Sequence, residues 1–268
     1  MIGHLKKYMS IFAALCLMLS GCSETGQHAS RQGQPAKQEN QASDDSLGDR
    51  AGGGQDRASA KSVSGTQQKV IHVVRDPNST LVLVNKYFKL PDHYTPEKLV
   101  YPNVPFTTSQ KSEKWKMRPA AAKALERMFA AAEKDGIRLA GVSAYRSHER
   151  QMELFNYYVQ KYGEKKAAAY SARPGTSEHE TGLAIDVSGI DGMYQAAQAF
   201  SETPEAKWLK RHAPDYGFII RYPKGKERVT GYEYESWHLR YVGHPVSKVI
   251  AEKGLALEEY LSAVPVSR

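Results

Sequence analysis

Ten residues, Ser177-Glu178-His179-Glu180-Thr181-Gly182-Leu183-Ala184-Ile185-Asp186, constrain this chain more than any other stretch. Leu183, Ile185 and Val187 alternate with Ala184 and Asp186, which predicts a strand with Asp186 on the face opposite the large apolar residues. His179 stands seven residues before Asp186, and in one unbroken strand an odd separation points two side chains to opposite faces. The two converge only if the chain turns between them, and Thr181-Gly182 supplies a turn. An unpaired carboxylate among apolar neighbours on a central strand is costly to bury. A cation accounts for its position; a buried Asp held by backbone donors or an Arg is the other reading.

A second segment, Glu235-Ser236-Trp237-His238, favours the cation. His179, Asp186 and His238 make three nitrogen or oxygen ligands and leave a fourth position for water, the inventory of a catalytic Zn2+ site. Glu235, three residues before His238, is a carboxylate free to take the proton of that water. Trp237 between them is expected in the core. The other histidines, His4, His28, His72, His93, His148, His212 and His244, come with no matching partner and are read as surface or core residues.

The N-terminus reads as an address. Lys6 and Lys7 precede an apolar run from Met9 to Leu19, shorter than the roughly 20 residues that span a bilayer. Leu19-Ser20-Gly21-Cys22 then resembles a bacterial lipobox, in which Cys22 is acylated and becomes the mature N-terminus; an ordinary secretory signal is the alternative. The only other cysteine, Cys16, lies inside the leader, so the exported part has no disulfide and no thiolate for a metal. Residues 1–21 are read as a lipoprotein signal peptide. Residues 22–68 are rich in Gln, Ser, Gly and Ala and lack aromatic residues, which predicts a lipid-anchored, disordered tether. Its roughly 45 residues give a root-mean-square reach of about 35–40 Å. The expected location is the extracytoplasmic face of the cell membrane, reaching into the wall.

The net charge is +8, and loss of Lys6 and Lys7 with the leader leaves +6. A basic exported protein has anionic envelope polymers as neighbours. No nucleic-acid motif accompanies the charge, so nucleic acid is not expected as a partner.

Residues 69–268 amount to one domain. Leu81-Val82-Leu83-Val84 predicts a buried extended segment, and Pro91, Pro96, Pro102 and Pro105 break up an irregular arm. Leu125, Met128, Phe129 and Ala132 mark one face of a helix over 119–135, with Pro119 in its first turn. Further helices are predicted over 148–162, capped by Ser147, and over 164–171, 205–212 and 245–253. Strands are predicted over 137–142, 183–187 and 217–222. Without strict alternation of strand and helix, an α+β fold with a central antiparallel sheet flanked by helices follows.

Ser177-x-His179-x-x-Gly182-x-Ala184-x-Asp186 and Glu235-x-Trp237-His238 resemble the two zinc motifs of the VanY-type D-alanyl-D-alanine carboxypeptidases. That family includes L,D-carboxypeptidases and falls in the wider class of lysostaphin-like, D-Ala-D-Ala peptidase and hedgehog-like domains. Ala144-Tyr145-Arg146-Ser147 with Gln151, and Gly217-Phe218-Ile219-Ile220-Arg221-Tyr222-Pro223, resemble it too, so the likeness runs from about Leu81 to Leu261. The resemblance implies that His179, Asp186 and His238 hold zinc, that Glu235 is the general base and that Arg146 stabilises the oxyanion. It implies Gln151, Arg173, Ser177 and Tyr222 as substrate contacts. The implied substrates are peptidoglycan stem peptides ending in D-alanine, cut by a monomer, with D,D- and L,D-specificity both open. An endopeptidase, a non-catalytic zinc-stabilised wall-binding module and a basic polymer-binding lipoprotein are the rival readings.

Overall fold

The computed structural model of the protein describes residues 71–263. The leader, Cys22, the 22–68 segment and the ends of the 69–268 domain lie outside the described residues. Two short strands, β1 (His72–Val73) and β2 (Phe88–Lys89), pair in parallel at the start. There follow α1 (Pro119–Lys134), β3 (Leu139–Ser143), α2 (His148–Tyr162), α3 (Glu164–Tyr170), β4 (Ala184–Gly189) and α4 (Pro204–His212). The chain ends with β5 (Phe218–Tyr222), α5 (Glu227–Thr230), β6 (Glu235–Tyr241), α6 (Val246–Glu252) and α7 (Leu257–Tyr260). β3 to β6 form one antiparallel sheet in the order β3-β4-β6-β5. This is the α+β arrangement expected from the sequence, with Asp186 on an inner strand.

The helices begin where short-range chemistry places them. Pro119 opens α1, and its buried stripe of Ala121, Leu125, Met128, Phe129 and Ala132 faces the core. Ser147 caps α2, its Oγ accepting the Arg150 amide at 3.3 Å, and Thr203 caps α4 by accepting from Ala206 at 3.2 Å. The stretch Leu81–Val84 forms no strand, yet Val82, Leu83 and Val84 are buried as expected.

Each face of the sheet has its own cover. Ile185 and Val187 of β4, Trp237 and Leu239 of β6 and Phe218 of β5 join α1 and α4 in the main core. The alternate residues turn the other way. There Ile219 packs with Leu83, Val242, Ile250 and Leu257, so α6, α7 and the N-terminal segment close that face around β5. Asp186, His238, Arg240 and Arg221 alternate onto this same second face, which is where the polar chemistry gathers.

Two departures from regular pairing matter later. Gly141 pairs with Val187 and Ser143 with Asp186, so β3 carries an extra residue beside Asp186. Ile220 pairs with Leu239 but Tyr222 with Glu235, so β6 carries two extra residues between Glu235 and Leu239.

The turn inferred between His179 and Asp186 is a single turn of 3-10 helix, Glu178–Thr181, closed by Gly182 at φ 66°. A Cβ on Gly182 would lie 2.8 Å from Leu99 Cδ2 and 3.2 Å from Arg118 Cγ, so the position is limited by both conformation and space. Gly182→Ala is therefore expected to destabilise the fold by about 1–3 kcal/mol, read from urea midpoints at constant slope.

Candidate metal centre and catalytic site

His179 leaves the 3-10 turn with both sides of its ring engaged. Nδ1 donates to the Ala144 carbonyl at 2.6 Å, which leaves the Nε2 lone pair directed at Asp186 Oδ2, 3.4 Å away. The Arg146 amide in turn donates to the His179 carbonyl at 3.2 Å, so the end of β3 and the turn hold each other. His238 sits directly across from Asp186 in the β4–β6 pairing, with Nδ1 2.9 Å from Asp186 Oδ1. The two imidazole rings meet edge to face at 5.0 Å.

One ligand atom from each of His179, Asp186 and His238 falls within 4.8 Å of the other two. Metal–ligand bonds of about 2.0–2.1 Å in a tetrahedron separate ligand atoms by roughly 3.3 Å. His179 approaches Asp186 Oδ2 at 3.4 Å and His238 approaches Asp186 Oδ1 at 2.9 Å, so the three side chains stand near the spacing such an ion needs. The donor set, two imidazoles and one carboxylate with His179 already oriented from behind, fits a metal with an open position.

The electrostatics follow from burial. Burial alone raises the Asp186 carboxyl, but the charges and hydrogen bonds of His179 and His238 outweigh it and hold the group far below the carboxylate range. Burial lowers His179. It also pulls on His238, yet bonds to Asp186 and Glu178 carry that imidazole up to about 10. Burial dominates at Glu235, whose carboxyl is pushed up to about 7 against the opposing pull of His238. A carboxyl raised in this way lies near neutral pH, the range in which a general base works best.

A regular strand would set Glu235 and His238, three residues apart, on opposite faces. The irregular pairing after Glu235 breaks that alternation, and sequence periodicity carries no sign of it. Trp237 is buried in the main core, as expected.

The remaining expected site residues divide. Arg146 is half-buried at the end of β3, with Nη1 donating to Gln151 Oε1 at 2.8 Å, and burial lowers its guanidinium despite Asp186 and Glu180 nearby. Gln151 is fully buried, and its Nε2 donates to Ser171 Oγ at 3.0 Å and to the Ala172 carbonyl at 2.6 Å. Its place is behind Arg146, holding the guanidinium, rather than open to a ligand. Tyr222 is buried, with its ring stacked on His238 at 5.0 Å and on Tyr232 at 4.5 Å. Ser177 is buried just before the 3-10 turn. Arg173 pairs with Glu164 at 2.9 Å, and with Ser171, Thr176 and Tyr232 it lines a cavity of about 500 Å³.

Sequence reasoning missed three acidic residues here. Glu178 and Glu180 flank His179 and are buried. Glu180 accepts the Gly175 amide at 2.8 Å and faces His148 Nδ1 at 2.9 Å, which packs His148 into the frame behind the turn without making it one of the three clustered side chains. Glu178 binds Arg221 and Arg240, and Arg221 binds Glu258. The signal was present in Arg221 and Arg240, charged residues at inward positions of apolar strands.

A pH dependence follows from Glu235. An acid raised in the folded state from 4.5 to about 7 stabilises the fold fully below the lower value and loses that contribution as pH rises through the higher one. In chelator-treated protein, Glu235→Gln removes this loss. The variant's stability relative to wild type should rise by up to about 3 kcal/mol between pH 5 and pH 8, measured by denaturant unfolding. A pH-independent difference would show that Glu235 is not held protonated by the fold.

The sequence profile of the VanY family, D-alanyl-D-alanine carboxypeptidase, matches residues 114–244. The chain is 48% identical over 194 residues to YodJ of Bacillus subtilis (strain 168), a match covering 72% of this chain and 71% of that protein. Among solved structures it is similar to the LdcB LD-carboxypeptidase, with a TM-score of 0.70 and 48% identity over 73% of this chain and 91% of the other. It is also similar to a VanY D,D-pentapeptidase variant in complex with Zn(II), with a TM-score of 0.55 and 32% identity over 68% of this chain and 98% of the other. With the three-ligand cluster and Glu235 in the matched region, the chain belongs to the VanY D-alanyl-D-alanine carboxypeptidase family.

Proposed function

We propose that the protein is a zinc-dependent carboxypeptidase that removes the C-terminal D-alanine of peptidoglycan stem peptides. The observation that carries this reading is the convergence of His179, Asp186 and His238 within 4.8 Å, with Glu235 raised to about 7 nearby. The Zn(II) in the related VanY structure supports zinc as the ion. The likeness to LdcB at 48% identity, against 32% for that VanY, favours a tetrapeptide with an L,D bond over a pentapeptide.

When bound, the ion supplies Lewis-acid polarisation of the scissile carbonyl and acidifies water. Glu235 takes a proton from the attacking water as its oxygen bonds to the carbonyl carbon. It returns that proton to the amide nitrogen as the C–N bond breaks, which releases D-alanine. Arg146, held by Gln151, is the cation for the oxygen that gains charge as the carbonyl becomes tetrahedral. The guanidinium's fixed fork suits this role better than a mobile ammonium. Tyr222, stacked on His238, forms part of the wall behind the ligands.

The placement of the enzyme is also proposed. Lys6, Lys7, the apolar run to Leu19 and the lipobox-like Leu19-Ser20-Gly21-Cys22 support acylation at Cys22 and anchoring at the outer face of the membrane. Residues 22–68 then serve as a tether that lets the catalytic domain reach wall peptides.

Incubation of the purified protein with tetrapeptide, pentapeptide and cross-linked muropeptides, with and without chelator, tests the reading. D-Alanine release from the tetrapeptide, lost with chelator and restored by Zn2+, is expected. Chelator-insensitive release would overturn the zinc assignment, and cleavage confined to cross-linked dimers would make the protein an endopeptidase. Glu235→Gln should keep its zinc and lose about 10²–10⁴ in kcat. Arg146→Lys should lose about 10²–10³ in kcat with zinc content unchanged.

A further inference from the structure

Behind the ligands lies a cluster of charges that the reaction itself does not use. Glu178 Oε1 accepts from Arg221 Nε at 2.7 Å and Arg240 Nη1 at 2.6 Å. Arg221 also grips Glu258 through Nη1 at 2.9 Å and Nη2 at 2.6 Å, and Asn85 Nδ2 donates to Glu258 at 3.0 Å. Arg240 Nη2 donates to the carbonyls of Thr80 and Val82 at 3.0 and 2.8 Å. The side chains of Glu178, Arg221, Arg240 and Glu258 are completely shielded from solvent. Two positive and two negative charges balance, so the cluster stands without an ion or ligand.

One oxygen is left over from this arrangement. Glu178 Oε2 faces His238 Nε2 at 3.5 Å, on the opposite edge of the ring from Asp186. A neutral imidazole carries one N–H and one lone pair, and the atom that its N–H faces decides which nitrogen is free to bind a metal. For His179 that acceptor is the Ala144 carbonyl, reached by Nδ1, so Nε2 is free. For His238 both ring nitrogens face a carboxylate, Nδ1 toward Asp186 at 2.9 Å and Nε2 toward Glu178 at 3.5 Å, so when Nδ1 and Asp186 share a metal the one remaining ring proton lies on Nε2, toward Glu178. Stacking of Tyr222 on the ring face leaves little room for the ring to flip.

We propose that Glu178 is a positioning residue for His238: it accepts the Nε2–H, fixes the tautomer with its Nδ1 lone pair toward Asp186, and is itself immobilised by Arg221 and Arg240. The cluster ties His238 to α7 and to the 80–85 segment through Glu258, Asn85 and Arg240, so elements remote in sequence share in aiming one ligand. This rests on the reading of His238 as a metal ligand.

The test uses the full chain. In zinc-loaded wild type with ¹⁵N-labelled histidine, long-range ¹H–¹⁵N spectra should show His238 protonated at Nε2 and His179 at Nδ1; a His238 proton on Nδ1 would overturn the proposal. Glu178→Gln presents an amide N–H or a weaker acceptor to His238. It should weaken Zn2+ binding about 10–100-fold in competition with a chromophoric chelator and shift the d–d bands of the Co2+-substituted protein. Unchanged zinc affinity and Co2+ spectrum in folded Glu178→Gln would also overturn it. His238→Ala separates the two layers: zinc affinity equal to wild type in that variant would remove the three-ligand reading beneath.

Discussion

The site depends on how the second face of the sheet solves the burial of charge. Isolated ions cost several kcal/mol each when taken from water, and each must meet a partner of opposite sign. Asp186 answers to His179 and His238, and Glu178 to Arg221 and Arg240. Glu258 takes the free end of Arg221. Glu178 and Arg221 each lean on two opposite charges, while Arg240 and Glu258 each have one, so removal of Glu178 or Arg221 strands its buried neighbours. A metal centre needs rigidity, since its ligands must already stand at coordination distance.

Regular secondary structure could not have aimed these groups. His179 reaches Asp186 because the 3-10 turn and Gly182 reverse the chain between them. Asp186 and His238 meet through cross-strand pairing, while an irregularity in β6 reorients Glu235 and the extra residue in β3 leads into Ala144 and Arg146. Ala144 then orients His179 from behind, and Gln151 at the first turns of α2 anchors Arg146. The departures from strand geometry thus lie where the chemistry is, as is usual for bulges near active sites.

Much of this was legible along the chain. Helix starts at Pro119, after Ser147 and after Thr203 are set by caps and proline within a few residues of the signal. The apolar stripe of α1 and the alternation of β4 are local periodicities, and both were read. The strand Glu235–Tyr241 was not. Glu235, His238 and Arg240 interrupt its apolar pattern because both of its faces are buried, one by core residues and one by charge partners. The resemblance implies Gln151 as a substrate contact; only the fold shows both ends of its amide engaged.

By itself the sequence picked out the candidate ligand set, the need for a turn between His179 and Asp186, the nearby carboxylate at Glu235 and the mixed α+β class. These are written in residue type and short spacing, where sterics and periodicity act. The tertiary structure decided which nitrogen of each histidine faces the site, how Glu235 comes to titrate near 7, and that Glu178, 62 residues from Arg240, stands behind His238. Tautomers and proton affinities are set by what lies within a few ångströms in space. Chain neighbours do not specify that, because strand register and packing bring those atoms together only once the sheet is complete.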